Sequence, residues 1–267
     1  MFLTTRARVT LLVLTLVGFA FLYVPLGIVV LNAFNKSRTY AFPPTGYTTK
    51  WWHLAADDQG ARDGLEASVK AGLGATAVAL VLGTMIAFAV QRYRFFGRST
   101  VSFLVILPIA LPGIVTGIAL QNAFQHVLTI HLSIWTIIVG HATFCVVIVF
   151  NNVQARLRRT GTSLEQASAD LGATGFQTFR HVTLPSIRGA LVAGALLAFG
   201  LSFDEIVVTN FTAPPAVHTL PLWIFSNLFR PNEAPVVNVV AAVLIVVAVV
   251  PVWLAQRLTD DAAGSRF

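Results

Sequence analysis

The costliest residues in this sequence are Asp204-Glu205, two adjacent carboxylates inside the apolar run 188–211. An acid near mid-bilayer costs about 2.5–3.5 kcal/mol on an insertion scale and less toward the interface, so two together do not face lipid. Neighbouring side chains on a helix diverge by about 100°, which lets one carboxylate face a central path while the other faces an adjacent helix. Such a pair attracts a cation moving past it, or forms an ion pair with a basic residue of a partner subunit, or lies shallow enough to be wet. Asp204 is the first choice for the path. Phe199, Phe203 and Trp223 lie nearby in sequence and offer faces for cation–π contact, although rings of this kind also serve as packing or interface anchors.

The second stretch of interest is polar: Arg156 to Arg188, an interruption between two apolar runs. Ser163-Leu164-Glu165-Gln166 and Thr174-Gly175-Phe176-Gln177 both read as capping boxes, in which a hydroxyl and the side chain three residues on satisfy each other's free N–H groups. Gly172 stands where a first helix needs a residue tolerant of left-handed backbone. The spacing predicts helix, turn, helix, ended by Leu184-Pro185. On the first helix Leu164, Ala167, Ser168 and Leu171 fall at i, i+3, i+4 and i+7 and share one face, suited to close approach of another surface. Glu165 and Asp170 lie off that face, able to pair with nearby arginines or with a partner. A short surface helix packed on its own membrane body fits the same pattern.

The elements that must position these residues are membrane helices. Of 267 residues, 56% are apolar and only 11% charged, which excludes an ordinary soluble domain. The net charge of +7 reads as a topology signal rather than a nucleic-acid footprint, because cytosolic flanks of membrane helices collect Lys and Arg. Cys145, the single cysteine, lies in an apolar run and excludes a disulfide framework or a Cys-based metal motif. Arg6 and Arg8 precede a run to Phe34 that is longer than the ~7–15-residue core of a cleaved signal peptide, so it reads as a retained first span.

A span needs about 20 apolar residues, and six stretches qualify: 9–34, 66–91, 100–124, 134–154, 188–211 and 235–256. The third and fourth, joined by a short loop from Gln125 to Ser133, form an antiparallel hairpin, and Pro25, Pro108, Pro112 and Pro251 predict kinks. A cytosolic N-terminus places twelve of the eighteen basic residues inside, all arginines hugging helix ends, so both termini are predicted cytosolic. The acid pair then lies about 24 Å above the cytosolic end of the fifth span, in the outer half of the bilayer. Residues 35–65 form the longest outer loop, with a short helix around 49–56 and with Trp51-Trp52 as headgroup anchors or a partner contact. The whole chain, 1–267, reads as one transmembrane domain with a cytosolic loop at 156–187.

The polar insertion resembles the coupling-loop signature of ABC importer permeases: a Glu-Ala-Ala triplet, a Gly four residues later, and an aliphatic-x-Leu-Pro ending. Here the triplet falls on Gln166-Ala167-Ser168, the glycine on Gly172 and the ending on Val182-Thr183-Leu184-Pro185. Two positions depart from the pattern, Gln166 for the acid and Ser168 for the second alanine, and Glu165 carries a charge one residue early. Leu201-Ser202-Phe203-Asp204-Glu205-Ile206-Val207-Val208-Thr209 and Thr219-Leu220-Pro221-Leu222-Trp223-Ile224 are similar to stretches of the spermidine/putrescine permeases of that superfamily. The resemblance implies an all-α integral membrane protein of the type I (MetI-like) importer fold, six transmembrane helices with a cytosolic coupling helix. It implies residues 164–168 and 170–172, with Leu184-Pro185, as the ATPase-coupling element.

Partners implied by the resemblance are a cytosolic ABC ATPase dimer, a second homologous permease and an extracytoplasmic substrate-binding protein. No Gly-rich phosphate loop is present, so ATP and Mg are expected in the partner ATPase and no cofactor in this chain. The expected cargo is a polyamine, for which carboxylates supply charge, with another small solute as the alternative. A membrane enzyme or a sensor would need clustered catalytic residues or a signalling domain, and the sequence carries neither. The six histidines show no metal spacing, and polar residues such as Asn32, His141 and Asn152 read as interhelical hydrogen-bonding groups.

Overall fold

The computed structural model of the protein describes residues 4–38, 43–230 and 234–247. Among these residues the regular structure is helical, apart from an isolated antiparallel bridge between Asn35 and Tyr47. The chain divides into two compact units, one from 1–61 with 224–249, the other containing 62–223.

In the first unit, α1 (Thr5–Asn32) begins at Thr4, whose Oγ1 accepts the Ala7 amide at 3.3 Å. Its side chains are apolar all round and its most apolar stretch is entirely unburied, the pattern of a membrane span. After it the chain is tied by side chains: Asn35 Nδ2 donates to Asn32 Oδ1 at 3.2 Å, and Trp51 Nε1 donates to the Asn35 carbonyl at 2.8 Å. Trp51 lies in the first turn of α2 (Lys50–Asp57) and is buried, while Trp52 lies against Phe34 at 5.0 Å between ring centroids. Trp51 is therefore a loop fastener rather than the headgroup anchor expected of it, and the Asn32 amide bonds locally rather than between spans.

The larger unit is built on α3 (Gln59–Arg92) and α6 (Ile134–Thr160). Ala71, Ala75 and Ala79 recur every four residues on α3 and are fully buried. A Cβ added to Gly83 would lie 2.9 Å from the Val146 carbonyl oxygen and from Val149 Cβ, so the two backbones touch there. Small residues at the contact are what a membrane interior requires, where close packing rather than water exclusion holds helices together. Of the long apolar helices α6 is the most buried, with 61% of its most apolar stretch covered. Its Phe144, Cys145, Val149, Phe150, Val153 and Leu157 form the centre of the core.

The predicted third span is not one helix. It is α4 (Arg98–Ala110) and α5 (Gly113–Asn122), the latter running on through a π-helical turn to Val127, and the two arms bend by 104°. Pro112 supplies no N–H and forces Leu111 into extended backbone (φ −82, ψ 144), which ends α4. The single hairpin expected of 100–154 is thus split, with α4 packing on α6 and α5 on a helix described below.

The polar insertion contains α7 (Ser163–Asp170) and α8 (Gly175–Thr178). Leu184-Pro185 does not end the second helix, as the sequence suggested. A π-helical turn, Phe179–Thr183, leads straight into α9 (Leu184–Phe203), where Pro185 sits in the first turn and needs no donor. The predicted fifth span, 188–211, stops at Phe203 and resumes as α10 (Val207–Thr212), which is the partner of α5.

Beyond these lie α11 (Leu220–Asn227) and α12 (Ala234–Val247). Among the described residues four helical runs are long and apolar enough to cross a membrane, or five if the bent pair is one span, against the six expected of the whole chain. The described part of the sixth, α12, falls short of the ~20 residues a span needs. Its predicted continuation to 256, with the polar tail, lies outside the described residues.

Candidate functional site

The acid pair sits in the break between α9 and α10. Asp204 closes α9 as its C-cap, and helical backbone resumes only at Val207. Glu205 Oε1 accepts the Val208 amide at 2.8 Å, capping α10 at the end where a negative charge is favoured. Asp204 is exposed, and its carboxylate has no hydrogen-bond or ion-pair partner among the described residues. The two neighbours thus divide into a cap and a free charge, a distinction that helical phase alone could not make on a helix that ends between them.

Phe203 is half-buried and tilts against Phe199 at 5.6 Å, and Phe199 in turn lies against Gly72 of α3. Trp223 is buried in α11, a packing position. The break is held by residues outside the acid pair. His141 of α6 is fully buried, its Nδ1 lies 2.7 Å from Ser202 Oγ and its Nε2 2.8 Å from Thr209 Oγ1, so it does bridge helices. Asn152 does not, since its Nδ2 donates to the Ile148 carbonyl one turn back on α6. A lone histidine in an apolar helix, with hydroxyls two residues before and four after the acids, was the available signal.

In the insertion, α7 ends in the way its glycine predicted: Gly172 adopts φ +82, its amide meets the Ala169 carbonyl at 2.9 Å, and the Ala173 amide meets that of Ser168 at 3.1 Å. The Thr174/Gln177 box forms in both directions, at 2.8 and 3.4 Å. The Ser163/Gln166 box does not, because Thr162 takes the cap position and Ser163 is already helical.

Leu164, Gln166, Ala167, Asp170, Leu171 and Gly172 are exposed, as are Leu184 and Pro185. Leu171 is 89% exposed and Leu164 60%, values that leave their side chains without internal packing. Ser168 departs from its expected face: its Oγ lies 3.0 Å from Thr178 Oγ1 and joins α7 to α8. Glu165 also turns inward, accepting from Arg92 Nη2 at 2.9 Å and from Thr183 Oγ1 at 3.0 Å.

A helical body of closely approached backbones, a broken helix with an unpaired acid, and a polar helix–glycine–helix insertion with an exposed apolar face are the parts of a transport permease rather than of an enzyme. Residues 79–262 match the family of binding-protein-dependent transport system inner membrane components, and the chain belongs to that family. Its curated relatives include the spermidine/putrescine transport system permease protein PotC of Escherichia coli K12, 34% identical over 243 residues, 91% of each chain. The putrescine transport system permease protein PotI of the same organism is 34% identical over 242 residues, 88% of this chain and 85% of its own. The fold is shared with a bacterial alginate ABC transporter solved in complex with an alginate pentasaccharide-bound periplasmic protein. That likeness has TM-score 0.67 at 14% identity, over 94% of this chain and 92% of the other.

Proposed function

We propose that this chain forms the translocation path for polyamines, putrescine and spermidine, in an ATP-driven importer of the inner membrane. The observation that carries the reading is the unpartnered Asp204 carboxylate at the break between α9 and α10, in a chain a third identical to polyamine permeases. A flexible polycation is drawn by a carboxylate and can brush aromatic faces such as Phe203. Trp223 is buried in α11 and offers no open ring face to a passing cation.

The machine that fits has six spans with both termini cytosolic, this chain paired with a second homologous permease. Helix α7 is its coupling helix: the exposed face of Leu164, Ala167 and Leu171, with Gln166, Asp170 and Gly172 beside it, enters a groove on a cytosolic ABC ATPase dimer. ATP and Mg reside in that dimer. An extracytoplasmic binding protein delivers the substrate, as the periplasmic protein seen with the alginate transporter suggests. ATPase closure swings α7 and opens the cavity outward, substrate enters past Asp204, and hydrolysis restores the inward-facing state.

The test is uptake of radiolabelled putrescine and spermidine by vesicles carrying the assembled transporter, with Asp204→Asn beside the parent. Loss of polyamine uptake in the variant, at equal amounts of assembled complex, supports the reading. Absence of polyamine uptake by the parent turns the cargo to another solute, and unchanged uptake in the variant removes Asp204 from the path.

A further inference from the structure

The break that carries the acid pair is not held by its own backbone. Within it the Asp204 amide reaches the Gly200 carbonyl at 3.3 Å and the Glu205 amide the Ser202 carbonyl at 3.5 Å, both at the long end of the hydrogen-bond range. What spans it is an imidazole. Ser202 lies in the last turn of α9 and Thr209 in the first turn of α10, and both hydroxyls meet the ring of His141, one at each nitrogen.

Both ring nitrogens thus have a hydroxyl partner, and Thr209 Oγ1 also reaches the Glu205 carbonyl at 2.8 Å. With that hydroxyl donating to the carbonyl, Nε2–H donates to Thr209 and Nδ1 accepts from Ser202, an assignment that satisfies every polar atom of the bridge. A satisfied buried polar network rigidifies its surroundings.

Packing surrounds the ring. It is fully buried and lies tilted against Phe144 at 5.6 Å between centroids. One residue before it, a Cβ on Gly140 would lie 3.2 Å from Thr212 Cγ2 and 3.3 Å from Val208 Cγ1, so α6 presses directly on α10. Thr136 Oγ1, one turn earlier, lies 2.7 Å from the Thr212 carbonyl and 2.7 Å from the Ser133 carbonyl, shares its one proton between them, and touches the far end of the same short helix. Through Thr209 the bridge continues to the backbone of Glu205, whose side chain caps α10 beside the free Asp204.

We propose that His141 is a positioning residue for transport: by stapling the end of α9 to the start of α10 it sets where Asp204-Glu205 presents its charge. This rests on the reading that the acid pair lines the substrate path. His141 itself touches no substrate. Its effect is exerted through the acids, and it belongs in the substrate KM more than in the maximal rate.

The experiment is putrescine uptake by vesicles bearing the full transporter, with KM and maximal rate measured separately and assembled complex quantified. The variants are His141→Leu, His141→Gln, the pair Ser202→Ala/Thr209→Val, and Asp204→Asn/Glu205→Gln alone and combined with His141→Leu. Losing two neutral hydrogen bonds is expected to raise the KM of His141→Leu by about tenfold. Gln, with one donor and one acceptor, is expected to recover much of it, and the hydroxyl pair, which removes the same bonds at nearly constant volume, to reproduce the loss.

In the acid-neutralised background His141→Leu is expected to add no further loss. An equal loss in both backgrounds overturns the proposal while leaving the acids in the path. Unimpaired uptake by Asp204→Asn/Glu205→Gln overturns the path reading and the positioning role with it. If His141→Leu fails to assemble, the hydroxyl pair takes its place in the combination, and failure of both to assemble overturns the proposal in favour of a folding role.

Discussion

Glu165 and Arg92, 73 residues apart, meet at 2.9 Å with side chains only 24% and 14% exposed, and the same Glu165 oxygen accepts from Thr183. The contact ties the insertion to the end of α3 and to the π-helical turn that feeds α9. Glu165 thus does not replace the acid that the coupling signature lacks at Gln166. It is an internal strut, and Gln166 remains exposed.

A strut of this kind should survive reversal of its charges. Arg92→Glu and Glu165→Arg alone each leave a half-buried charge beside a like one, and about tenfold lower uptake is expected from a penalty of about 1–3 kcal/mol. Restoration of uptake in the double variant checks the pairing. Singles and double that are equally impaired would refute a direct pairing.

The exposed face of α7 makes the opposite prediction, with little effect on the chain itself. Leu171→Asp or Ala167→Arg changes an exposed position, where substitutions usually stay within about 0.5 kcal/mol of neutral. Both are expected to insert into the membrane normally and to lose co-purification of the ATPase. Retained co-purification with normal uptake places docking elsewhere.

Asp204 and Glu205 should separate by assay. Glu205→Ala removes the α10 cap and is expected to cost about 0.5–2 kcal/mol, read as a lower melting midpoint in detergent. Asp204→Ala has no such bond to lose, and its melting midpoint is expected to stay near that of the parent while uptake falls.

Gly83→Ala puts a methyl group 2.9 Å from a backbone oxygen of α6, an atom that cannot step aside. Less folded protein and a lower melting midpoint are expected, because over-packing typically costs about 1–3 kcal/mol. Gly189→Ala, on α9 with nothing within 4 Å of the added carbon, serves as the control and is expected to be neutral or slightly stabilising.

What the sequence determined by itself is local. Composition set the membrane class, and runs of apolar residues located α1, α3, α6 and α9, since helix formation in lipid needs only a long enough stretch that satisfies its own backbone. Gly172 and the Thr174/Gln177 box were legible because a cap is a matter of four or five consecutive residues. The acid pair was legible as a cost, whatever surrounds it.

Tertiary structure decided everything that depends on a partner distant in sequence. The fifth span breaks at Asp204–Ile206, where α10 turns to pack on α5 and α6. Glu165 and Ser168 turn inward because Arg92, Thr183 and Thr178 stand there, and Trp51 because the Asn35 carbonyl does. His141 is one interhelical polar residue among several in the sequence, and only the fold puts it between Ser202, 61 residues on, and Thr209, 68 residues on. Hydropathy and caps are properties of neighbours along the chain, whereas a hydrogen bond between helices depends on packing that no single stretch encodes.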